Sequence, residues 1–297
     1  MSDDGRRIGR VGVVAHVGRQ GALDVARDLI AWLREQGVAT RSLEWEDLAA
    51  DERVEDGLFP WGLDLVVSVG GDGTLLRSAR HAYAADVPLL GVNVGRLGFL
   101  TEAEPANARE ILGEALAGRT AVEERMALTA EPVGASWTIP EWALNEVIVE
   151  KTARHRLITL RTQVGGQELT QFSADGLIVA TPTGSTAYSF SARGPIVSPK
   201  IACLLLTPVS PHMVFDRSIV LPPDEGVVLQ VLPDEPGVLS ADGRPGLELP
   251  VGSSVVIRRA ERPLRLVRRD DSTSFFALLR EKFWLPGQAP HRGAPSD

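Results

Sequence analysis

Apolar residues recur along this chain in two rhythms, and the rhythm changes near residue 125. Before that point, short apolar runs alternate with helical spacing. "VGVVAHV" (11–17) is a β-rich run, and "ALDVARDLIAWLREQG" (22–37) puts Leu23, Ala26, Ile30 and Leu33 on one helical face. That helix is expected to stop at Gly37. "VATRSLE" reads as a second strand, and "LDLVVSVG" as a third, apolar throughout and so expected to be buried on both faces. A helix from Thr74 to about Ala84, the strand "PLLGVNVG" and the helix "NAREILGEALAG", ending at Gly118, complete the pattern. Such alternation predicts a Rossmann-like parallel α/β domain.

After "EERMALTA" strand-like runs follow one another without helices between them: "ALNEVIVEK", "RLITLRTQV", "ELTQFSA", "GLIVAT", "CLLLTP", "RSIVLP", "GVVLQVL", "SVVIRRAE" and "LRLVRR". Gly165-Gly166 suits a hairpin turn, and Gly, Pro and Asp break most other junctions. The expectation is an antiparallel all-β domain, sandwich-like or barrel-like. "SFFALLREKFWL" (274–285) regains helical spacing and is expected to return to the first domain, ahead of a disordered tail "PGQAPHRGAPSD". The expected division is an α/β domain over 1–125, a β domain over 126–270 and a returning segment over 271–297.

Composition narrows the function classes. At 297 residues the chain suits two domains, and 44% hydrophobic with 24% charged residues is globular. A net charge of -8 argues against a nucleic-acid-binding surface, which needs a basic excess. Lysine occurs only at Lys151, Lys200 and Lys282, so arginine carries the positive charge. The single cysteine, Cys203, excludes an internal disulfide and reads as a buried apolar residue of "IACLLLT". "MSDDGRRIGR" lacks the apolar core of a signal peptide, and no apolar run reaches the ~18 residues of a membrane span. The expectation is a soluble, cytoplasmic chain without a membrane partner.

The sharpest motif is "LVVSVGGDGTLLRSAR", where three glycines surround Asp72 between a strand and a helix. Ligands of open parallel sheets bind beyond the carboxyl ends of strands. Gly70, Gly71 and Gly73 permit unusual φ values and leave no Cβ to block a phosphate. The helix that follows offers unpaired N–H groups. There is no G-x-x-x-x-G-K-[ST] and no G-x-G-x-x-G. Asp72 can equally well close an Asx turn on its own loop.

"VSVGGDGTLLRSAR" resembles the signature of the superfamily of NAD kinases, diacylglycerol kinases and phosphofructokinases. "GVNVGRLGFLTE" (91–102), "LNEVIVEK" (144–151) and "SADGLIVATPTGSTAYSFSARGPIVSP" (173–199) each resemble a signature of the NAD kinase family, in that family's order. The resemblance covers residues 8 to 286. It implies transfer of the γ-phosphoryl of ATP, or of another donor, to the adenosine ribose 2′-hydroxyl of NAD, with a divalent cation, Mg²⁺ or Mn²⁺. It implies a homodimer or homotetramer. Asp72 then binds the ribose hydroxyl and receives its proton late in the transfer, with Gly73 beside it. Asn145 and Glu146 contact the adenosine part; strand alternation alone would turn one of them to solvent. Thr186 and Ala187 meet adenine, Tyr188 lies against the dinucleotide, Ser191 lies near the nicotinamide half, and Asp175 accepts from the nicotinamide end.

Arg77, one helical turn past Thr74, is a candidate for donor phosphate; Gly71, Thr74, Arg156, where members often carry an arginine near phosphate, and Arg244, where members vary between Arg and Gln, are candidates for phosphate or nucleotide. His212, in "TPVSPHMVFDR", resembles a position that reaches a neighbouring subunit, although Met213 departs from the small polar residue usual after it. The metal ligands are not identified, although Glu146 adds negative charge near the reacting end and is expected to help hold a divalent cation; His16, His81 and His155 are isolated. Two rival readings stand beside this one. A lipid kinase sharing "GGDGT" needs an apolar entry face that an acidic chain without a basic amphipathic helix does not suggest. A non-catalytic NAD(P)-binding regulator would be expected to lose Asp72. Donor choice, phosphorylation of NADH, preferred metal, oligomer number and feedback by NADP(H) are not legible.

Overall fold

The computed structural model describes residues 8–95, 98–137, 140–233, 235–269 and 271–283; the expected tail lies outside them. The first region runs β1 (Arg10–Ala15), α1 (Gln20–Glu35), β2 (Ala39–Leu43), β3 (Glu52–Val54), β4 (Leu65–Gly70), α2 (Asp72–Ala85), β5 (Leu89–Asn93), α3 (Ala108–Leu116) and β6 (Ala121–Arg125). Then come β7 (Leu128–Val133), β8 (Glu141–Ala143), β9 (Glu146–Lys151), β10 (Ile158–Val164), β11 (Gln167–Ala174) and β12 (Gly176–Ala180). A short helix α4 (Tyr188–Ser191) leads to β13 (Leu204–Val209), β14 (Ile219–Leu221), β15 (Val227–Val231) and β16 (Gly237–Ala241). The last elements are β17 (Leu247–Leu249), β18 (Ser254–Arg259), β19 (Leu264–Arg268) and α5 (Phe275–Phe283).

The first sheet has the order β3-β2-β1-β4-β5-β19-β6. Its pairings from β3 through β19 are parallel, and β6 is antiparallel to β19. Every residue of β4 and β5 is buried, as continuous apolar runs require when helices cover both faces. One face packs α1 and α3 through Leu29, Ile30, Leu33, Ile111 and Leu112. The other packs α2 through Leu75, Ala79 and Ala82, and this core continues into the β half through Ala127, Trp142 and Leu144. Each buried Leu or Ile among them contributes roughly 1.5–3 kcal/mol. Helix α1 ends before Gly37, whose φ of +73° fits the stop read from the sequence.

The β half is a sandwich. One six-stranded sheet has the order β11-β10-β15-β18-β7-β8, the other β14-β13-β12-β9-β16-β17. Their inner faces share one core of Leu160, Phe172, Leu177, Val179, Leu206, Leu229, Val255 and others. Gly165 and Gly166, at φ +56° and +80°, turn the β10–β11 hairpin as their sequence suggested. The run "LRLVRR", read above with the β half, forms β19 inside the first sheet. Strand patterning marks a buried strand but not the sheet that receives it.

Strand order reverses direction around β1 and β4, so a crevice opens beyond their carboxyl ends. β4 ends at Gly70, two residues before Asp72. Topology and motif therefore point to one place.

Candidate functional site

Helix α2 begins at Asp72, two residues earlier than its apolar spacing implies. Asp72 thus stands in the first turn, where unpaired amides and the helix dipole favour negative charge. Its Oδ2 accepts from the Phe99 amide at 2.9 Å and its Oδ1 from the Leu100 amide at 3.2 Å. Gly98 makes the approach possible: a Cβ there would lie 1.9 Å from Asp72 Oδ1. The acid is therefore held by the "GRLGFLTE" segment rather than by an Asx turn on its own loop.

The three glycines differ in purpose. None has a positive φ, and Gly71 is extended at φ −106°, ψ −170°, so unusual backbone angles are not why they are there. Gly70 is set by packing, because a Cβ would meet Thr74 Oγ1 at 2.4 Å. At Gly71 and Gly73 a Cβ would meet nothing within 4 Å among the described residues. Their bareness faces open space, as a ligand-facing wall requires. Thr74 is buried beneath Gly70.

A second group of polar residues gathers where the chain changes sheets. β8 belongs to one layer of the sandwich and β9 to the other, and Leu144–Asn145 makes the passage. Asn145 and Glu146 are both buried, so alternation does not send either to solvent. Thr181 pins the passage, its amide donating to the Asn145 carbonyl at 2.8 Å and its hydroxyl to the Leu144 carbonyl at 2.6 Å. Gly184 presses on the same peptide, where a Cβ would sit 2.1 Å from the Asn145 carbonyl oxygen. "TPTGST" is thereby docked on "LNE", two motifs 37 residues apart at their Leu144–Thr181 contact.

Burial pushes the Glu146 carboxyl up to about 8, with the nearby charge of Asp242 adding to the effect and the Tyr188 amide opposing it. Among the described residues Glu146 Oε2 has no hydrogen-bond partner. Beyond it, a cleft of about 200 Å³ is lined by Ile148, Glu150, Lys151, Asp175, Tyr188 and Val209, among others. Asp175 and Lys151 form an ion pair across it. Burial raises the Tyr188 hydroxyl's pKa, with the charges of Glu150, Asp175 and Glu146 adding to the effect. Thr186 and Ala187 are half-buried where a 3-10 turn (Thr183–Thr186) meets α4, and Ser191 is exposed at the end of α4. Asn145, Glu146 and the 183–191 segment are thus joined by contact, with Asp175 lining the cleft beside Tyr188, while Asp72 belongs to a separate cluster at the head of α2.

Helix α5 touches both centres. Phe283 lies 6.2 Å from Phe99, whose amide holds Asp72, and 4.7 Å from Phe190 of α4. Arg268 links the sheet to the loop through Glu102 and Glu123, and Arg125 reaches Thr183 Oγ1 at 3.3 Å. These arginines line a second cavity of about 690 Å³ beside α5, which contains none of the site residues expected from the sequence.

The remaining candidates have protein partners. Arg77 donates to the Ala15 carbonyl at 2.5 Å and to Glu46 Oε1 at 2.7 Å. Glu46 is buried, and desolvation raises its carboxyl to about 7 against the amide of Ala15 and the charge of Arg77. Arg156 is exposed and pairs with Glu235 at 2.6 Å. Arg244 pairs with Glu141 at 2.7 Å and donates to the Trp142 carbonyl. His212 is exposed on the β13–β14 loop. Sequence reasoning passed over Thr181, Asp242, Gly98 and Phe99. The second "SADG", at 240–243, was the available signal for Asp242.

Comparison with known proteins decides the family. The model of the ATP-NAD kinase N-terminal domain matches residues 52–120, and that of the C-terminal domain matches residues 144–269. An NAD kinase of Heliobacterium modesticaldum is 44% identical over 279 residues, covering 92% of this chain and 97% of the relative. NAD kinase 2 of Streptomyces avermitilis is 42% identical over 294 residues, covering 95% and 96%. The chain belongs to the NAD kinase family.

Solved structures agree with the NAD kinase fold. The yeast NADH kinase complexed with NADH matches at a TM-score of 0.88, with 22% identity, over 97% of this chain and 91% of that one. An NAD kinase from Archaeoglobus fulgidus in complex with ATP matches at 0.72, with 26% identity, over 92% and 98%. The chain is accordingly a phosphotransferase of NAD kinase type, and the lipid-kinase and regulator readings are not favoured. Among the described residues no group of three or more His, Cys, Asp or Glu could hold a metal ion, and no helix is long and apolar enough to cross a membrane. Among those residues there is no built cage for a resident cation. A cation that keeps its waters and rides on donor phosphates needs no such cage.

Proposed function

We propose that this chain transfers the γ-phosphoryl of ATP to the 2′-hydroxyl of the adenosine ribose of NAD, giving NADP and ADP. The observation that carries the reading is the Asp72 carboxylate, fixed by two amides at the start of α2 beside two glycines whose Cβ space is open. Each carboxylate oxygen retains acceptor capacity after taking one N–H bond. The ribose hydroxyl is oriented by Asp72 and its oxygen bonds to the γ phosphorus. The bond from that phosphorus to the β–γ bridging oxygen breaks, and ADP leaves. The hydroxyl proton passes to Asp72 late, when the oxygen is already partly bonded. Such transfers have a loose transition state, so the protein's contribution is position and charge. The donor enters with its divalent cation, Mg²⁺ or Mn²⁺, already bound.

On the other rim, Asn145 and Glu146 take the adenosine part, Thr186 and Ala187 lie against adenine, and Tyr188 and Ser191 border the dinucleotide. Asp175 accepts from the nicotinamide end. A neutral Glu146 carboxyl both donates to and accepts from sugar hydroxyls, which fits its burial and its free Oε2. We also read the chain as a cytoplasmic homodimer or homotetramer. Support comes from the apolar, exposed loop bearing His212, where Val214 is fully exposed and Phe215 is 42% exposed. The test is NADP formation from NAD with ATP and Mg²⁺, repeated with inorganic polyphosphate as donor and with NADH as acceptor. Absence of NADP from NAD with ATP overturns the proposal, while NADP from polyphosphate or NADPH from NADH would redefine the donor or acceptor, and sedimentation of the same preparation reads the assembly.

A further inference from the structure

Asp242 has no place in the chemistry described so far, yet it is among the most fully engaged carboxylates in the protein. Its Oδ2 accepts from the Leu144 amide at 2.7 Å, and its Oδ1 from the Asn145 amide at 2.8 Å and the Glu146 amide at 3.2 Å. Its own amide donates to the Glu146 carbonyl at 3.0 Å. Those three amides belong to the step between the two sheets, where the strand ladders hand over from β8 to β9. Leaving such buried donors unmet would destabilise the step, because each would lose its hydrogen bond without regaining water.

We propose that Asp242 is the positioning residue of the dinucleotide rim: by gripping three consecutive amides it sets the direction in which Asn145 and Glu146 present their side chains to NAD. The inference rests on the function proposed above. Three further observations support it. The turn is built to deliver the acid, since Asp242 and Gly243 lie at φ +50° and +68°, and Arg244 ties the same turn to Glu141 and to the Trp142 carbonyl. The Leu144 and Asn145 carbonyls are fixed independently by Thr181, so what the Asp242 carboxylate adds is the grip on the amides. And the other "SADG" copy does something different: Asp175 faces a cleft and pairs with Lys151, whereas Asp242 spends both oxygens on the backbone. One tetrapeptide thus supplies a ligand-facing acid in one place and its architectural counterpart in the other.

The test is steady-state kinetics of the full chain with NAD and ATP varied separately, in the unmodified protein, Asp242→Asn, Asn145→Ala and the double variant. Asn keeps one acceptor oxygen and turns an NH₂ toward amide donors. We expect a rise of about tenfold in KM for NAD, with KM for ATP changed less than about twofold; a misplaced binding group readily costs such factors. In the Asn145→Ala background the same substitution should change KM for NAD less than about threefold, because its effect passes through a residue already removed. Gly243→Ala, which strains the turn without touching the carboxylate, should give a smaller rise of the same selectivity and serves if Asp242→Asn folds poorly. Equal rises in both KM values, full additivity of the two substitutions, or an unchanged KM for NAD would overturn the inference while leaving the proposed function intact. If the unmodified chain neither binds NAD by calorimetry nor phosphorylates it, the proposed function fails and the inference falls with it.

Discussion

Asp72 and Glu146, the carboxyl groups on the two rims of the proposed site, sit in opposite electrostatic settings. At Asp72 a carboxylate is presented at the head of a helix, each oxygen already met by a backbone amide, with open space over Gly71 and Gly73. At Glu146 a carboxyl is buried in the sandwich, driven up to about 8 by desolvation and the neighbouring Asp242, with one oxygen unmet. Under the proposed function, the first arrangement offers acceptor oxygens to the ribose hydroxyl and open space to phosphate. The second favours the neutral carboxyl, which both donates and accepts hydrogen bonds. The contrast teaches that an acid's neighbours, more than its type, decide what it can do.

The strongest way to break the comparison is Asp72→Asn. Asn retains the size but cannot receive the hydroxyl proton, and general-base terms are worth roughly 10²–10⁴-fold. We expect kcat to fall about 10³-fold with KM for NAD changed only a few-fold, read in a coupled NADP assay. Near-normal turnover would show that Asp72 merely ties the 99–100 peptides to α2.

Gly98→Ala tests the same rim from behind. Its Cβ would overlap Asp72 Oδ1, so either the acid or the loop must move. A displacement of this order should lower kcat about 100-fold. Gly73→Ala is the matched control for packing, because its Cβ meets nothing. It should fold at least as stably as the unmodified chain. If it nevertheless raises KM for ATP, the open space over Gly73 belongs to the donor.

How much of this was readable beforehand depends on range. The α/β alternation, the sandwich strands, the glycine stops at Gly37 and Gly165-Gly166, and the motifs around Asp72 and Asn145 are local patterns, and local patterns survive in a single sequence. What escaped was set by distant contacts. Nothing in "LRLVRR" says that its strand joins β5 and β6 rather than the sandwich. Nothing in "GRLGFL" says that Gly98 is bare because Asp72 lies against it. Arg77 looked available for phosphate because Glu46, 31 positions away, could not be seen beneath it. The start of α2 was placed two residues late because Asp72 and Gly73 are poor helix formers that tertiary contacts and the helix dipole override.

Arg77→Met addresses stability rather than catalysis. It leaves the Glu46 carboxyl buried without its cation, while Arg77 is itself about one-third exposed, which moderates the loss. The Arg77 charge interacts with the ionised form of Glu46, whose folded-state value is about 7. Below pH 6 that form is scarce and the substitution should cost little. Above pH 7 it dominates, and we expect a loss of about 1–2 kcal/mol, or several degrees in Tm. An equal loss at pH 5.5 and pH 8.5 would mean that packing, not the ion pair, is at stake.

Glu146→Gln gives the smallest effect and separates the rims most sharply. The Glu146 value is raised from 4.5 to about 8, so the folded state holds its proton more tightly than the unfolded chain does. Its contribution to stability is complete below about pH 4.5 and is lost as pH climbs to about 8. Gln cannot ionise, so the variant should melt a few degrees above the unmodified chain at pH 8.5 and match it at pH 5. Because Gln also donates and accepts, KM for NAD at pH 7 should stay within about fivefold, whereas Glu146→Ala should raise it tenfold or more. A large loss with Gln would mean that the rim works through a charged carboxylate, and the contrast with Asp72 would then disappear.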